Sequence, residues 1–142
     1  MLIRNIRDIE KIWTKEHGKG TLYQVFFGIP STHEVVGIPS KRFAVAKRIT
    51  SFWIMTIAPG ATNPRHIHED IEQIYFILEG EGTVSVENEE AKLRKGDAVF
   101  LPERKSHRFH NYTDKPCIIL AVGAKIAPGT EYKLPYYEEI PS

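Results

Sequence analysis

The sequence holds a single cysteine, Cys117, among 142 residues, so it can form no internal disulfide. That excludes a secreted disulfide scaffold and fits a reducing compartment. No run of 18 apolar residues occurs, so no segment reads as a membrane-spanning helix. The opening stretch, MLIRNIRDIEKIW, carries charges every few residues and lacks the continuous apolar run of a signal peptide. A cytoplasmic protein is expected. Charge of one sign is missing as well: 19 Lys and Arg face 18 Asp and Glu, a net charge of +1. Neither nucleic acid nor a membrane surface is therefore expected as a partner. Internal repeats, low-complexity runs and linker-like stretches are absent too.

What is present is globular: 42% apolar and 26% charged residues. The length suits one domain of roughly 100–150 residues, so positions 1–142 are read as a single domain with terminal arms at 1–20 and 127–142. Short β-branched and aromatic runs recur between turn signals, which indicates an all-β sandwich or closed barrel. The pattern predicts strands over 23–27, 43–58, 74–78, 83–87, 91–95, 98–101, 108–111 and 117–122. A hairpin turn is expected at Asn88-Glu89-Glu90. Ile6, Ile9, Ile12 and Trp13 could line a short N-terminal helix. Pro39 demotes 32–41 from a central strand to a loop or edge.

Six histidines occur, at 17, 33, 66, 68, 107 and 110. His66-Ile67-His68 is an H-x-H pair, and on a strand residues i and i+2 share a face, so both rings can meet one ion. By itself this is weak, since random placement of six histidines gives roughly a quarter of one such pair per chain. Its surroundings add weight. Gly60, His66, His68, Gln73 and Gly80 stand in G-A-T-N-P-R-H-I-H-E-D-I-E-Q-I-Y-F-I-L-E-G, and Gly96, Pro102, His107 and Asn111 in G-D-A-V-F-L-P-E-R-K-S-H-R-F-H-N.

These two blocks, 60–80 and 96–111, resemble the paired motifs of the cupin superfamily, G-x5-H-x-H-x3,4-E-x6-G and G-x5-P-x-G-x2-H-x3-N. The resemblance implies an antiparallel jelly-roll β-barrel holding one divalent transition metal, whether Zn, Mn, Fe, Ni or Co. Carried over by position, the ligands are His66, His68, Gln73 and His107, while Asn111 is structural. Glutamine stands where the family motif has glutamate. A three-residue spacing would select Glu72 instead, but it leaves one residue too many before Gly80, so motif spacing favours Gln73. Arg104 replaces the second motif's glycine.

Three histidines and a glutamine would leave a divalent ion at its full +2 charge, a stronger Lewis acid than a site with a carboxylate. It disfavours metal oxidation, so the site leans to isomerisation, tautomerisation or elimination of a small anionic oxygenated molecule such as a sugar acid. A metal-dependent dioxygenase is the alternative, and a non-catalytic binding or sensing module is the alternative of another class. By alternation Tyr75 shares the face of Gln73 and is a candidate for the catalytic group and for substrate contact. Phe109, on the face of His107, and the cations Arg65 and Arg104 are further candidates for substrate binding. His110 faces away from His107, and His17 and His33 read as surface residues. The outward face of 74–78 would carry Ile74, Phe76 and Leu78, which points to a homodimer.

Overall fold

The computed structural model describes residues 1–14, 17–29 and 44–126. Nine strands follow in order: β1 (Thr21–Gly28), β2 (Ile49–Ile57), β3 (Thr62–His66), β4 (Ile71–Glu79), β5 (Glu81–Val86), β6 (Glu89–Arg94), β7 (Ala98–Leu101), β8 (His107–His110) and β9 (Cys117–Lys125). They form two antiparallel sheets, a five-stranded one in the order β1-β2-β9-β4-β7 and a four-stranded one in the order β3-β8-β5-β6. The all-β expectation holds for the described residues, and the barrel-type strand pattern is realised as two sheets.

Several boundaries move. The long segment at 43–58 becomes a strand only from Ile49, with Ala44 as an isolated bridge to Gly28. The hairpin turns one residue earlier than expected: Val86 pairs with Glu89, and Glu87 takes φ +51. Ser106 holds it there, its backbone N and Oγ donating to the Glu87 carboxylate at 3.0 and 3.4 Å. In place of an N-terminal amphipathic helix there is one 3-10 turn, Ile6–Asp8, capped by Asn5. Three residues bury no apolar face, and Ile12 pairs with Tyr23 as an antiparallel bridge instead. The segment 32–41 and the arm 127–142 lie outside the described residues.

The core lies between the sheets. On β4 the buried positions are Gln73, Tyr75 and Ile77, and Ile74 and Phe76 are exposed, the period-2 alternation of a strand with one face inside. Neighbouring strands add matching rows. Ser51, Gly123 and Gln73 stand in register across β2, β9 and β4; Trp53, Ala121 and Tyr75 form the next row, and Met55, Ile119 and Ile77 the third. The middle strand thus shrinks inward-facing side chains from Ile119 through Ala121 to Gly123. The first end is packed solid, and the other opens a cavity.

Asn111 joins the two sequence blocks and is fully buried. Its Nδ2 donates to the Ile57 carbonyl at 3.0 Å and the Lys115 carbonyl at 2.7 Å, while its Oδ1 accepts from the Thr113 backbone N and Oγ1. Its own backbone bonds Gly60 and Ala61. At the other motif end Gly80 takes φ +76, and a Cβ there would stand 2.4 Å from the Pro116 carbonyl oxygen, so only glycine fits. Asn111→Ala leaves the buried Ile57 carbonyl without its donor, removes the bonds to Lys115 and Thr113, and is expected to lower the unfolding free energy by about 2–4 kcal/mol. Urea denaturation checks this; a loss below about 0.5 kcal/mol would show that the clasp contributes nothing.

Candidate metal centre

His66 is the last residue of β3 and His107 the first of β8, and the two are paired directly. A register shift between Asn63 and His66 re-aims the end of β3. His68 lies just beyond the strand, so loop geometry and not strand alternation brings it alongside. Its carbonyl accepts the Arg104 backbone N–H at 2.6 Å, which ties the turn of the second block to the loop of the first. Arg104 takes φ +58, the left-handed conformation that the motif glycine supplies without strain. The arginine adopts the same backbone, so the turn survives the substitution.

The ligand atoms of His66, His68 and His107 all lie within 4.8 Å of one another. Two imidazole nitrogens on one zinc-like ion stand at most about 4.2 Å apart, twice the usual bond length, so the rings need close by no more than about 0.6 Å. His66 Nδ1 lies 2.8 Å from the Pro64 carbonyl oxygen. A carbonyl only accepts, so Nδ1 carries the proton and Nε2 is left with its lone pair for coordination, the arrangement metal-bound histidines commonly show. Neither ring nitrogen of His107, and not Gln73 Oε1, makes a hydrogen bond of ordinary geometry although all three atoms are buried. Buried polar atoms normally find partners, so three orphans beside two further histidines fit a cation. Glu72 stands on the opposite side of β4 from Gln73 in the alternation.

Burial shapes the titration of the site. It pushes His107 down to about 3, with His66 and His68 adding repulsion and the nearby Lys105 backbone opposing slightly. His68 falls to about 4, again through burial first, then the neighbouring His66 and His17, with Asp70 opposing. Both rings are neutral at pH 7, the form that binds metal. Burial raises Tyr75 well above the usual tyrosine range, so it stays protonated. Cys117 is pushed up to about 11 by burial and by Glu81, which leaves it an inert thiol.

A cavity of about 290 Å³ opens beside the histidines. His66, His68, Gln73 and Tyr75 line it on one side, and Ser51 and Trp53 on the other. The structure does not bring Phe109, Arg65 or Arg104 to this lining. Phe109 is a core residue whose ring packs on Gly82. Arg65 is exposed and donates to Ser106 Oγ at 2.9 Å. The exposed Arg104 guanidinium stands 3.9 Å from Glu103. Lys47 and Arg48 are exposed. His110 turns away from the cluster, hydrogen-bonded to Thr62, and His33 lies outside the described residues. His17 is the correction. It is no surface residue: it lines the cavity, its ring 5.6 Å from that of His66, and its Nδ1 is 2.7 Å from the Tyr23 hydroxyl. The bridge between Ile12 and Tyr23 draws it in, a pairing no local pattern announces. Ser51 and Trp53 were also missed, although alternation along β2 gives their face.

Two antiparallel sheets with a histidine cluster at one end of the core define a cupin-type fold with a cluster that could hold a metal ion. The cupin-domain family profile matches residues 53–123, half of the chain, and the chain belongs to that family. Among curated proteins it is 30% identical over 79 residues to an oxalate-binding protein of Thermotoga maritima, covering 56% of this chain and 65% of that protein. It is 28% identical over 75 residues to a tetracenomycin polyketide synthase protein of Streptomyces glaucescens, covering 53% and 50%. The chain spans less than two thirds of the length of each of these curated relatives. A crystal structure of a predicted oxalate decarboxylase from Thermotoga maritima superposes with a TM-score of 0.68 at 25% identity, covering 89% of this chain and all of that one. The polyketide cyclase RemF of Streptomyces resistomycificus shares the fold, at a TM-score of 0.69 and 20% identity over 99% and 94% of the two chains.

The depressed histidines set a pH dependence. Between about 4 and 6.5 the unfolded chain binds protons that the folded rings of His68 and His107 refuse. Stability of the chelator-treated protein is therefore complete above about 6.5 and falls as pH drops through that window. Urea midpoints at pH 7 and pH 5 read this directly. Equal midpoints would overturn it.

Proposed function

We propose that the protein is a divalent-metal-dependent cupin that moves a proton on a small oxygenated molecule, by isomerisation, tautomerisation or elimination. The observation that carries this reading is the cluster of His66, His68 and His107 with the buried, unpartnered Oε1 of Gln73 beside it. These four residues would hold the ion, and the ion would polarise a carbonyl or carboxyl oxygen of the substrate. None of the four brings a negative charge, so the substrate itself meets the charge of the site. No Asp, Glu, Lys or Arg is among the described residues that line the cavity. An anionic oxygen of the substrate would offset part or all of that +2 charge.

Tyr75, held protonated by burial, donates a hydrogen bond and does not act as a base. His17 is the cavity imidazole outside the ligand set, and its bond to Tyr23 fixes the ring. It is the group placed to accept the substrate proton. The reading of a dicarboxylate reaction, dioxygen-dependent or not, is supported by the oxalate-binding relative of Thermotoga maritima, 30% identical over the matched region. The cavity favours the first reading, because it exceeds the space of a six-atom diacid: 290 Å³ is roughly ten water volumes.

The strands are proposed to close as a barrel in a single cupin domain. Two copies would pair through the outer face of the five-stranded sheet, where Ile74 and Phe76 are exposed. The buried, unpaired Cys117 supports a reducing, cytoplasmic setting.

Elemental analysis is expected to find close to one divalent ion per chain, lost in His66→Ala/His68→Ala and in His107→Ala. His17→Gln is expected to keep the ion and slow proton exchange on an enolisable keto acid about a hundredfold. Absence of metal after reconstitution would sink the proposal, and metal with ligand binding but no exchange would leave a sensing module. The mass in solution is expected to be twice 16.3 kDa, and Phe76→Lys is expected to halve it; a monomeric native protein overturns the pairing.

A further inference from the structure

The wall of the cavity opposite the histidines has a chemistry of its own. Ser51 and Trp53 sit two apart on β2 and so present side chains to the same face. Ser51 is 2% exposed, and its Oγ has no hydrogen-bond partner; the Trp53 Nε1–H is likewise buried and unpartnered. Two buried donors left unpaired are costly unless something offsets them. Both residues line the cavity, so a bound molecule can reach them.

Between Ser51 and Gln73 stands Gly123, in register with both. At ordinary sheet spacing Ser51 and Gln73 are about 10 Å apart, with only a glycine between them. A Cβ on Gly123 would meet Thr50 Oγ1 at 2.6 Å and Ser51 Oγ at 2.7 Å. Its backbone is not in the left-handed region, so conformation does not require the glycine. Space does. The room its missing side chain leaves is taken by the Thr50 and Ser51 hydroxyls, and both of these residues line the cavity. Over the next row Trp53 and Tyr75 flank Ala121, and Tyr23 packs on Trp53 with ring centroids 5.2 Å apart. Aromatic walls over small residues accept a flat body.

We propose that Ser51, seated over Gly123, and Trp53 form a substrate-orienting wall that selects a flat molecule, uncharged apart from the oxygen group at the histidines, with a hydrogen-bond-accepting oxygen at its far end. The assignment rests on the metal-centre reading for which end of the molecule faces which wall. The substrate class is then an aryl or enolisable dicarbonyl compound and not a molecule charged at its far end. Nothing among the described lining residues would neutralise a charge placed there, away from the ion.

The probe is 2′-hydroxyacetophenone, flat and uncharged, set against oxalate and glucose 6-phosphate. Binding is followed by indole fluorescence in a Trp13→Phe background, which leaves Trp53 as the sole tryptophan of the two in the chain. Metal content is measured on every sample. The flat probe is expected to quench Trp53 and to bind at least tenfold more tightly than glucose 6-phosphate, whereas any binding of oxalate, which reaches only the ion, is expected not to respond to Ser51→Ala. Ser51→Ala is expected to weaken it about fivefold, the size of one lost hydrogen bond. Gly123→Ala is expected to weaken it more than tenfold with metal content unchanged. Ser51→Ala is also expected to raise the melting temperature, because it removes a buried unpaired hydroxyl, whereas a merely structural serine would lower it. The proposal is overturned if the flat probe fails to bind in the millimolar range, if both charged probes bind better, or if Ser51→Ala binds within twofold of native. Should Gly123→Ala fail to fold, Ser51→Ala decides alone. A native protein without metal whose probe binding still responds to Ser51→Ala keeps the wall and refutes the metal reading.

Discussion

Burying an imidazole without a partner is unfavourable, and this structure does it at its centre. His107 is 3% exposed, and neither of its nitrogens finds an ordinary hydrogen bond. Two further rings crowd it, the centroid of His66 at 4.1 Å and that of His68 at 5.7 Å. Burial, with the neighbouring rings, disfavours protonation of His107 and His68, so these two persist as neutral bases. Much of the surrounding architecture serves to hold them there. The pairing of His66 with His107 across β3 and β8 brings together two residues 41 positions apart in sequence. The Pro64 carbonyl fixes one tautomer, and the Arg104 amide fixes the loop that carries His68. Asn111 locks the same two blocks at the far end of β8. A cation at the cluster relieves the constraint, because lone pairs that nothing else satisfies are what it needs.

The cavity beside the cluster arises from one strand. β9 carries Cys117, Ile119, Ala121 and Gly123 on its inner face, and each faces side chains from β2 on one side. From β4, Ile77, Tyr75 and Gln73 face the last three. Large residues at one end fill the space between sheets, and small ones at the other leave it open. Close packing makes such a taper effective, since interiors tolerate few voids that side chains do not deliberately leave. The same strand therefore supplies both the core that holds the sheets and the floor of the site.

The motif residues were legible because their function constrains sequence spacing: H-x-H, the glutamine at a fixed interval and the histidine before Asn111 all fall where local geometry repeats. Alternation on β4 was legible too, and it places Gln73, Tyr75 and Ile77 inside with Ile74 and Phe76 outside. His17 was not legible, because its position depends on a bridge between Ile12 and Tyr23 that carries no local signature. The N-terminal isoleucines misled for the same reason: spacing near 3.6 in so short a segment cannot outweigh pairing with a neighbouring strand. Arg65 and Arg104 seemed close to the site only in sequence. Adjacent positions on a strand or turn point to opposite sides, and these two face solvent.

That outward placement changes the electrostatic argument. With the arginines outside and no acid among the described lining residues, the cavity has one cationic point when metal is bound. Anionic oxygens gain strongly beside the ion, whereas a charge at the far wall would be desolvated without a counter-charge. The replacement of glutamate by glutamine acts in the same direction, since it keeps the whole charge of the ion available to the substrate. Discrimination then comes from the opposite wall, where hydroxyl and indole hydrogens ask for an acceptor and Gly123 makes room for the serine that carries one of them. Charge selects at one end and shape at the other, and the small residues of β9 keep the two ends in one cavity.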